Sequence, residues 1–254
     1  MKKFEDKVAI VTGSTSGIGR QAAYQLAENG AKVVITGRNE DRAKEVVDHI
    51  IAAGGEAMYI LADLKDPAAP KTIVDAAVKN YGTVDFLINN AAGDDPMNIR
   101  GIQDIDETLY DEVMDVNIKA PFLLSQLVIP IMEEKGAGVI VNVSSIAGTG
   151  AARGPLVYTI SKHALIGLTR EIEFLHGRNG IRCNTVLPGG VYTELTKADF
   201  DNPDHPLSHA IAMSPAGRPA KPEELANIIT FLCSDESWFI QGANIVADGG
   251  GTLC

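Results

Sequence analysis

Tyr158 and Lys162 stand four residues apart in Tyr158-Thr159-Ile160-Ser161-Lys162, inside a stretch patterned as a helix. Four residues is about one helical turn, so both side chains leave the same face. An ammonium beside a phenol favours the phenolate and pulls a tyrosine below its ordinary value near 10. Bringing it to ~7 takes about 4 kcal/mol of differential stabilisation, a large share for one lysine. A tyrosine tuned in this way suits general acid–base work on an alcohol–ketone pair. Taken alone, the spacing is common and mostly structural.

A second constellation is Thr12-Gly13-Ser14-Thr15-Ser16-Gly17-Ile18-Gly19, where a first apolar run turns into a helical one. Glycines let the backbone turn tightly, and a helix N-terminus with exposed amides favours an anion such as a pyrophosphate. Gly17-x-Gly19-x-x-Ala22 also fits the dinucleotide fingerprint in the strand–turn–helix context that it requires. The residues set against the pyrophosphate are therefore Gly13, Ser14, Ser16, Gly17, Ile18 and Gly19. At the end of the second strand, where an NAD(H) site carries Asp or Glu for the ribose diol, the chain reads Gly37-Arg38-Asn39. A guanidinium pairs with a 2′-phosphate, so NADP(H) is preferred and NAD(H) remains possible, with Glu40 or Asp41 as the competing ribose contact. A pairing that nets ~1.5–3 kcal/mol corresponds to a preference of roughly ten- to hundredfold. An oxidised nicotinamide is cationic, and would add the charge that Lys162 alone lacks for tuning Tyr158.

Short apolar runs and longer helical stretches alternate around these motifs. Strands are predicted at Val8–Val11, Lys32–Ile35, Ala57–Leu61, Val84–Ile88, Gly138–Val143, Ile181–Leu187 and Ala243–Ala247. Most are unbroken Val/Ile/Leu runs, as in strands buried on both faces of a parallel sheet. Helices are predicted over Gly17–Asn29, Asn39–Ala53, from an Asp66 cap and Pro67 to Tyr81, over Asp104–Lys135 with breaks near Pro121 and Pro130, over Leu156–Arg178 and over Pro222–Ser234. This is an α/β pattern: a Rossmann-like, doubly wound parallel sheet of about seven strands, read as a single domain over residues 1–254. The Pro-rich interval 194–219 breaks the rhythm and reads as an irregular insertion, a lid over a site.

The 254 residues carry a net charge of −11 and 45% hydrophobic side chains, enough for a substantial core. Such a chain is repelled by phosphate backbones and anionic membranes, and it has no Lys/Arg run beyond Lys2-Lys3. Nucleic acid and membrane partners are not expected. Cys183, Cys233 and Cys254 form no Cys-x-x-Cys pair, and neither a signal peptide nor a membrane helix is apparent, so a cytoplasmic location is expected.

Together, the Thr12–Gly19 turn and Tyr158-x-x-x-Lys162, in this order on this framework, strongly resemble the classical short-chain dehydrogenase/reductase family. The resemblance covers roughly Glu5 to Gly251 and includes Asp63-Leu64, Asn89-Asn90-Ala91-Ala92-Gly93, Asn117, Ser144-Ser145, Pro188 to Thr193 and Asp248-Gly249-Gly250. The extra Ala in the Asn89–Gly93 segment departs from the family's usual Asn-Asn-Ala-Gly. The resemblance implies Tyr158 as general acid/base, Lys162 as its tuning partner and ribose contact, and Ser145 as a hydrogen-bond donor to the substrate oxygen. Asn117 would hold a water that links Lys162 to solvent. It further implies cofactor contacts at Asp63, Leu64, Asn90, Ala91, Pro188, Gly189, Val191 and Thr193, and a homo-oligomer, a tetramer before a dimer. Ser144 could replace Ser145, and Asn117 could simply bond helix carbonyls.

The implied function is an oxidoreductase acting on a small-molecule ketone or secondary alcohol. An NAD(H)-dependent alcohol or polyol dehydrogenase, and a non-catalytic dinucleotide sensor on the same fold, are the competing readings. An epimerase or dehydratase of the extended relatives would show a Gly-x-x-Gly-x-x-Gly turn, which is not found here. No metal is expected, since His205-x-x-x-His209 lacks a metalloprotease's His-Glu pairing. Asp94-Asp95 reads as a solvated turn, and Arg100, Arg153, Lys197 and Arg218 are the few cations near the substrate loops.

Overall fold

The chain runs β1 (Val8–Val11), α1 (Gly17–Glu28), β2 (Lys32–Gly37), α2 (Glu40–Ala52), β3 (Glu56–Leu61), α3 (Ala69–Tyr81) and β4 (Phe86–Asn89), then α4 (Glu107–Met114), α5 (Ala120–Lys135), β5 (Gly138–Val143), α6 (Leu156–His176) and β6 (Ile181–Pro188). It ends with α7 (Lys197–Asp201), α8 (Pro206–Ala212), α9 (Pro222–Cys233) and β7 (Asn244–Ala247). The structure is a computed structural model and describes residues 2–93 and 101–253. Asp94, Asp95, Arg100 and Cys254 lie outside the described residues.

All seven strands pair in parallel in the order β3-β2-β1-β4-β5-β6-β7. The sequence expectation of a doubly wound α/β sheet is what the structure shows. Alternate residues of β1 to β6 feed two separate cores. Ala9, Val11, Val33 and Ile35 pack with Leu26, Val46 and Leu225 on one face. Ile10, Val34 and Leu87 pack with Ile73, Leu124, Met132 and Ile172 on the other. The strand order reverses between β1 and β4, and a crevice at such a switch point is where open α/β sheets hold ligands.

Three local expectations are corrected. Asp66 and Pro67 form the turn before α3 rather than its cap and first residue: Asp66 Oδ1 accepts Ala68 N–H at 2.8 Å, and Pro70 takes the first helical turn. The helix holding Asn117 does not break at Pro121. It widens into a π turn over Asp115–Lys119, since residue 121 has no N–H to offer the Asn117 carbonyl in α-helical register. Pro130 also sits inside an unbroken α5; it is exposed, so the carbonyl it deprives of a donor can face water. The Pro-rich interval is not irregular throughout, because it holds α7 and α8. Pro206 starts α8 and His205 Nδ1 caps it by accepting Leu207 N–H at 3.3 Å, so this proline nucleates helix.

Candidate active site

The first cradle is the turn between β1 and α1. Gly13 (φ +60°) and Gly17 (φ +52°) both lie in the left-handed region. A Cβ on Gly13 would stand 2.9 Å from Ala91 Cα, and one on Gly19 would stand 2.4 Å from Asn90 Nδ2. Asn90 binds this turn directly: its Nδ2 donates to Thr12 O at 2.9 Å, while Thr12 Oγ1 accepts Asn90 N–H and Ala91 N–H. Ser14 is buried and clasps β2, so Asn90, Ala91 and Ser14 hold the turn in shape.

Helix α1 has no side-chain cap at Ser16, which leaves its first amides available. One anion is already there. Glu194 Oε2 accepts Gly17 N–H at 3.3 Å, and Glu194 Oε1 pairs with Arg20 at 2.6 Å. Burial pushes the Glu194 carboxyl up, but its backbone contacts, with Arg20 and Gly17 N–H, outweigh this and hold it below the usual range. An uncapped helix start that binds a carboxylate fits a pyrophosphate, and the residues present suit a dinucleotide.

Arg38 follows β2 and is exposed. Its neighbour Asn39 caps α2, its Oδ1 accepting Arg42 N–H at 2.9 Å. Glu40, the competing ribose contact, accepts the Tyr59 hydroxyl at 3.1 Å. Asp63 is exposed after β3 and accepts Lys65 N–H, whereas Leu64 is half-buried against the second core.

The Tyr158 group forms where β5, α6 and the π turn meet. Ser145 caps the 3-10 turn after β5, and its hydroxyl hydrogen-bonds the Tyr158 phenol. Ser144 points the other way and donates to Lys162 O at 2.8 Å, deeply buried, so Ser145 is the serine at the tyrosine. Lys162 is 2% exposed; its Nζ donates to Val143 O at 2.9 Å and lies 5.3 Å from the centre of the Tyr158 ring. Burial draws the lysine down to about 8. Burial also pushes the Tyr158 phenol up, with the Ser145 hydrogen bond drawing it partly back. The protein groups alone do not lower this tyrosine. Desolvation of the phenolate outweighs the help it receives.

Asn117 is buried in the π turn, with Oδ1 accepting Gly93 N–H at 2.7 Å and Nδ2 donating to Ser161 Oγ at 2.9 Å. Ser161 Oγ in turn donates to Tyr158 O. The Asn117 side chain thus joins the segment after β4 to α6 beside the Tyr158 group.

The family described as enoyl-(acyl carrier protein) reductase matches residues 13–252. An uncharacterised oxidoreductase of Thermotoga maritima is 41% identical, over 98% of both chains. The 7α-hydroxysteroid dehydrogenase of Bacteroides fragilis is 34% identical, over 100% of this chain and 97% of its own. Among solved structures, a protein from Beutenbergia cavernae described as an NAD(P)-dependent gluconate 5-dehydrogenase, with NADP bound at low occupancy, superposes with a TM-score of 0.90. It is 32% identical over 99% of both chains. The chain belongs to the short-chain dehydrogenase/reductase family.

In this short-chain dehydrogenase/reductase the segment after β6 borders the Gly-rich turn. Gly189 N–H bonds Ala247 O at 3.1 Å, following Pro188, and Val191 is buried. Thr193 Cγ2 would lie 3.2 Å from a Cβ on Gly17, so the two motifs meet. A parallel bridge between Val191 and Ala220 ties the base of the insertion. Above it, Tyr192, Phe200, Ile211 and Pro219 wall a cavity of about 290 Å³. The Glu194–Arg20 contact is absent from the sequence reading. The available signal was an acidic residue directly after Thr193 and a cation one turn into α1. No described helix is long and apolar enough to cross a membrane.

Proposed function

We propose that this short-chain dehydrogenase/reductase interconverts a neutral ketone and a secondary alcohol, with NADP(H) preferred over NAD(H). The observation that carries the reading is the Ser145–Tyr158 hydrogen bond set over the buried Lys162. In reduction, Tyr158 gives its proton to the substrate oxygen as negative charge develops there, and Ser145 donates a hydrogen bond to the same oxygen. Lys162 keeps a positive charge beside the ring and binds the ribose. Asn117 holds the water through which the Tyr158–Lys162 pair exchanges protons with solvent. When bound, the nicotinamide exchanges the hydride and, oxidised, adds positive charge beside the phenol. Gly13, Ser16, Gly17, Ile18 and Gly19 face the pyrophosphate while Ser14 braces their turn against β2, Arg38 faces the 2′-phosphate, and Asp63 and Leu64 the adenine. Asn90 and Ala91 shape the floor, and Pro188, Gly189, Val191 and Thr193 hold the carboxamide.

The chain acts as one catalytic domain, with residues 194–219 as the substrate loop. Apolar walls at Tyr192, Phe200 and Ile211 and a net charge of −11 favour a neutral ketone, polyol or sugar over an acidic acyl carrier. The steroid and gluconate relatives act on hydroxylated carbon skeletons by their names, which agrees with this class. A homo-oligomer, a tetramer before a dimer, accounts for the exposure of Phe174 (84%), Trp238 (63%) and Phe239 (90%). We place it in the cytoplasm. Purified enzyme incubated with secondary alcohols and each oxidised dinucleotide tests the reading. Reduced cofactor should accumulate with NADP, and binding without turnover would favour a dinucleotide sensor.

A further inference from the structure

Gly37 is the last residue of β2, twenty residues beyond Gly17. From this place an acidic side chain reaches the ribose diol in sites that take NAD(H). The φ of Gly37 is not in the left-handed region, so the backbone does not demand glycine. What glycine supplies is room. A Cβ built on Gly37 would lie 2.6 Å from Thr15 Cγ2, 3.0 Å from Thr15 Oγ1 and 3.4 Å from Thr15 Cβ. Carbon atoms rest about 3.5–4.0 Å apart, so both γ atoms of Thr15 stand where even a methyl group would go.

Thr15 is held in place. Its neighbour Ser14 donates N–H to Thr36 O at 3.0 Å, accepts Thr36 N–H on Oγ at 2.9 Å and donates Oγ–H to Val11 O at 2.7 Å. On the other side, Gly37 O accepts Ala62 N–H at 3.0 Å. The two backbones are therefore pinned on both flanks. Turning the threonine side chain does not clear the space either. Two of its three staggered positions border Gly37, and with only one hydrogen on Cβ, every rotamer leaves a heavy atom in one of them.

We propose that Thr15 is a specificity-determining residue for the dinucleotide: with Gly37 it excludes by volume the acidic side chain that an NAD(H) site would place here. This rests on the NADP(H) reading above and extends it to Thr15. Arg38 is left without a carboxylate at position 37, where an Asp would both pair with the guanidinium and repel a 2′-phosphate.

The test compares full-length wild type with Thr15→Ala, Gly37→Ala, Gly37→Asp and the two double variants, by melting temperature and by NADH and NADPH dissociation constants. Gly37→Ala should lower the melting temperature by several degrees, and Thr15→Ala should restore most of that loss. Gly37→Asp alone should leave NADH affinity within about twofold of wild type, while Thr15→Ala/Gly37→Asp tightens it about tenfold or more. Equal losses from Gly37→Ala in both backgrounds overturn the proposal. So does a Gly37→Asp variant that tightens NADH as much alone as with Thr15→Ala. Should the Asp variants not fold, the Ala melting cycle decides it without any cofactor. A wild type that prefers NADH overturns the NADP(H) reading instead, and the melting cycle separates the two failures.

Discussion

Lys162 Nζ lies 5.3 Å from the centre of the Tyr158 ring and donates its 2.9 Å hydrogen bond to Val143 O. Its influence on the phenol is therefore that of a charge held beside the ring in a poorly solvated place. Such a charge is costly to bury.

The cost is measurable through pH. The folded lysine sits at about 8, against 10.5 for the ordinary group. Between these values the unfolded chain binds more protons than the folded one, so stability rises as pH rises from about 8 toward 10.5. The difference is about 3 kcal/mol, offset by ~1 kcal/mol for the bond to Val143 O. Lys162→Met should melt several degrees above wild type at pH 7, with the gap shrinking by pH 10, while turnover falls ~100-fold or more. A lower melting point at pH 7 would count against the buried charge.

Tyr158→Phe keeps the ring and removes the proton. Turnover should fall by ~10²–10⁴ while the NADPH dissociation constant stays within about twofold. Ser145→Ala removes the hydrogen bond that draws the phenol down, so the alkaline rise of alcohol oxidation should move to higher pH. A limb that stays put would take Ser145 out of the tuning.

Arg38→Ala should weaken NADPH roughly ten- to hundredfold and leave NADH within about twofold, as read by titration of intrinsic fluorescence. Equal weakening of both cofactors would remove the 2′-phosphate from the account.

Asp85 tests the scaffold apart from the site. Its side chain is 3% exposed, accepts Val8 N–H at 2.9 Å and pairs with Lys7 and Lys135. Asp85→Ala leaves a buried N–H and two lysines without that carboxylate, which should cost about 2–4 kcal/mol, or ~5–12 °C in melting temperature. The KM of the folded fraction should not change.

The strands and the glycine-rich turn were legible because each rests on local pattern. Unbroken Val/Ile runs such as Val33–Ile35 have to be buried on both faces, and Gly13 and Gly17 mark a turn that other residues resist. What stayed hidden depends on partners distant in sequence. Nothing local says that Ser144 turns inward to Lys162 O while Ser145 meets Tyr158, since this follows from how β5 enters its turn. The Glu194 carboxylate reaches Gly17 across 177 residues, and Thr15 fills the space beside Gly37 through a contact between a turn and the end of β2. The insertion's helices are masked by its prolines, because a proline that interrupts a helix and one that starts it look alike in sequence, and Pro206 with its His205 cap starts one.

The most direct measurement is the initial rate of NADPH oxidation across a panel of neutral ketones, with NADH and Tyr158→Phe run in parallel. At least one ketone should consume NADPH, NADH should serve it roughly tenfold or more less well, and the Phe variant should be nearly inactive. Tight NADPH binding with no turnover of any ketone, or a Phe variant that keeps most of the rate, would contradict the account.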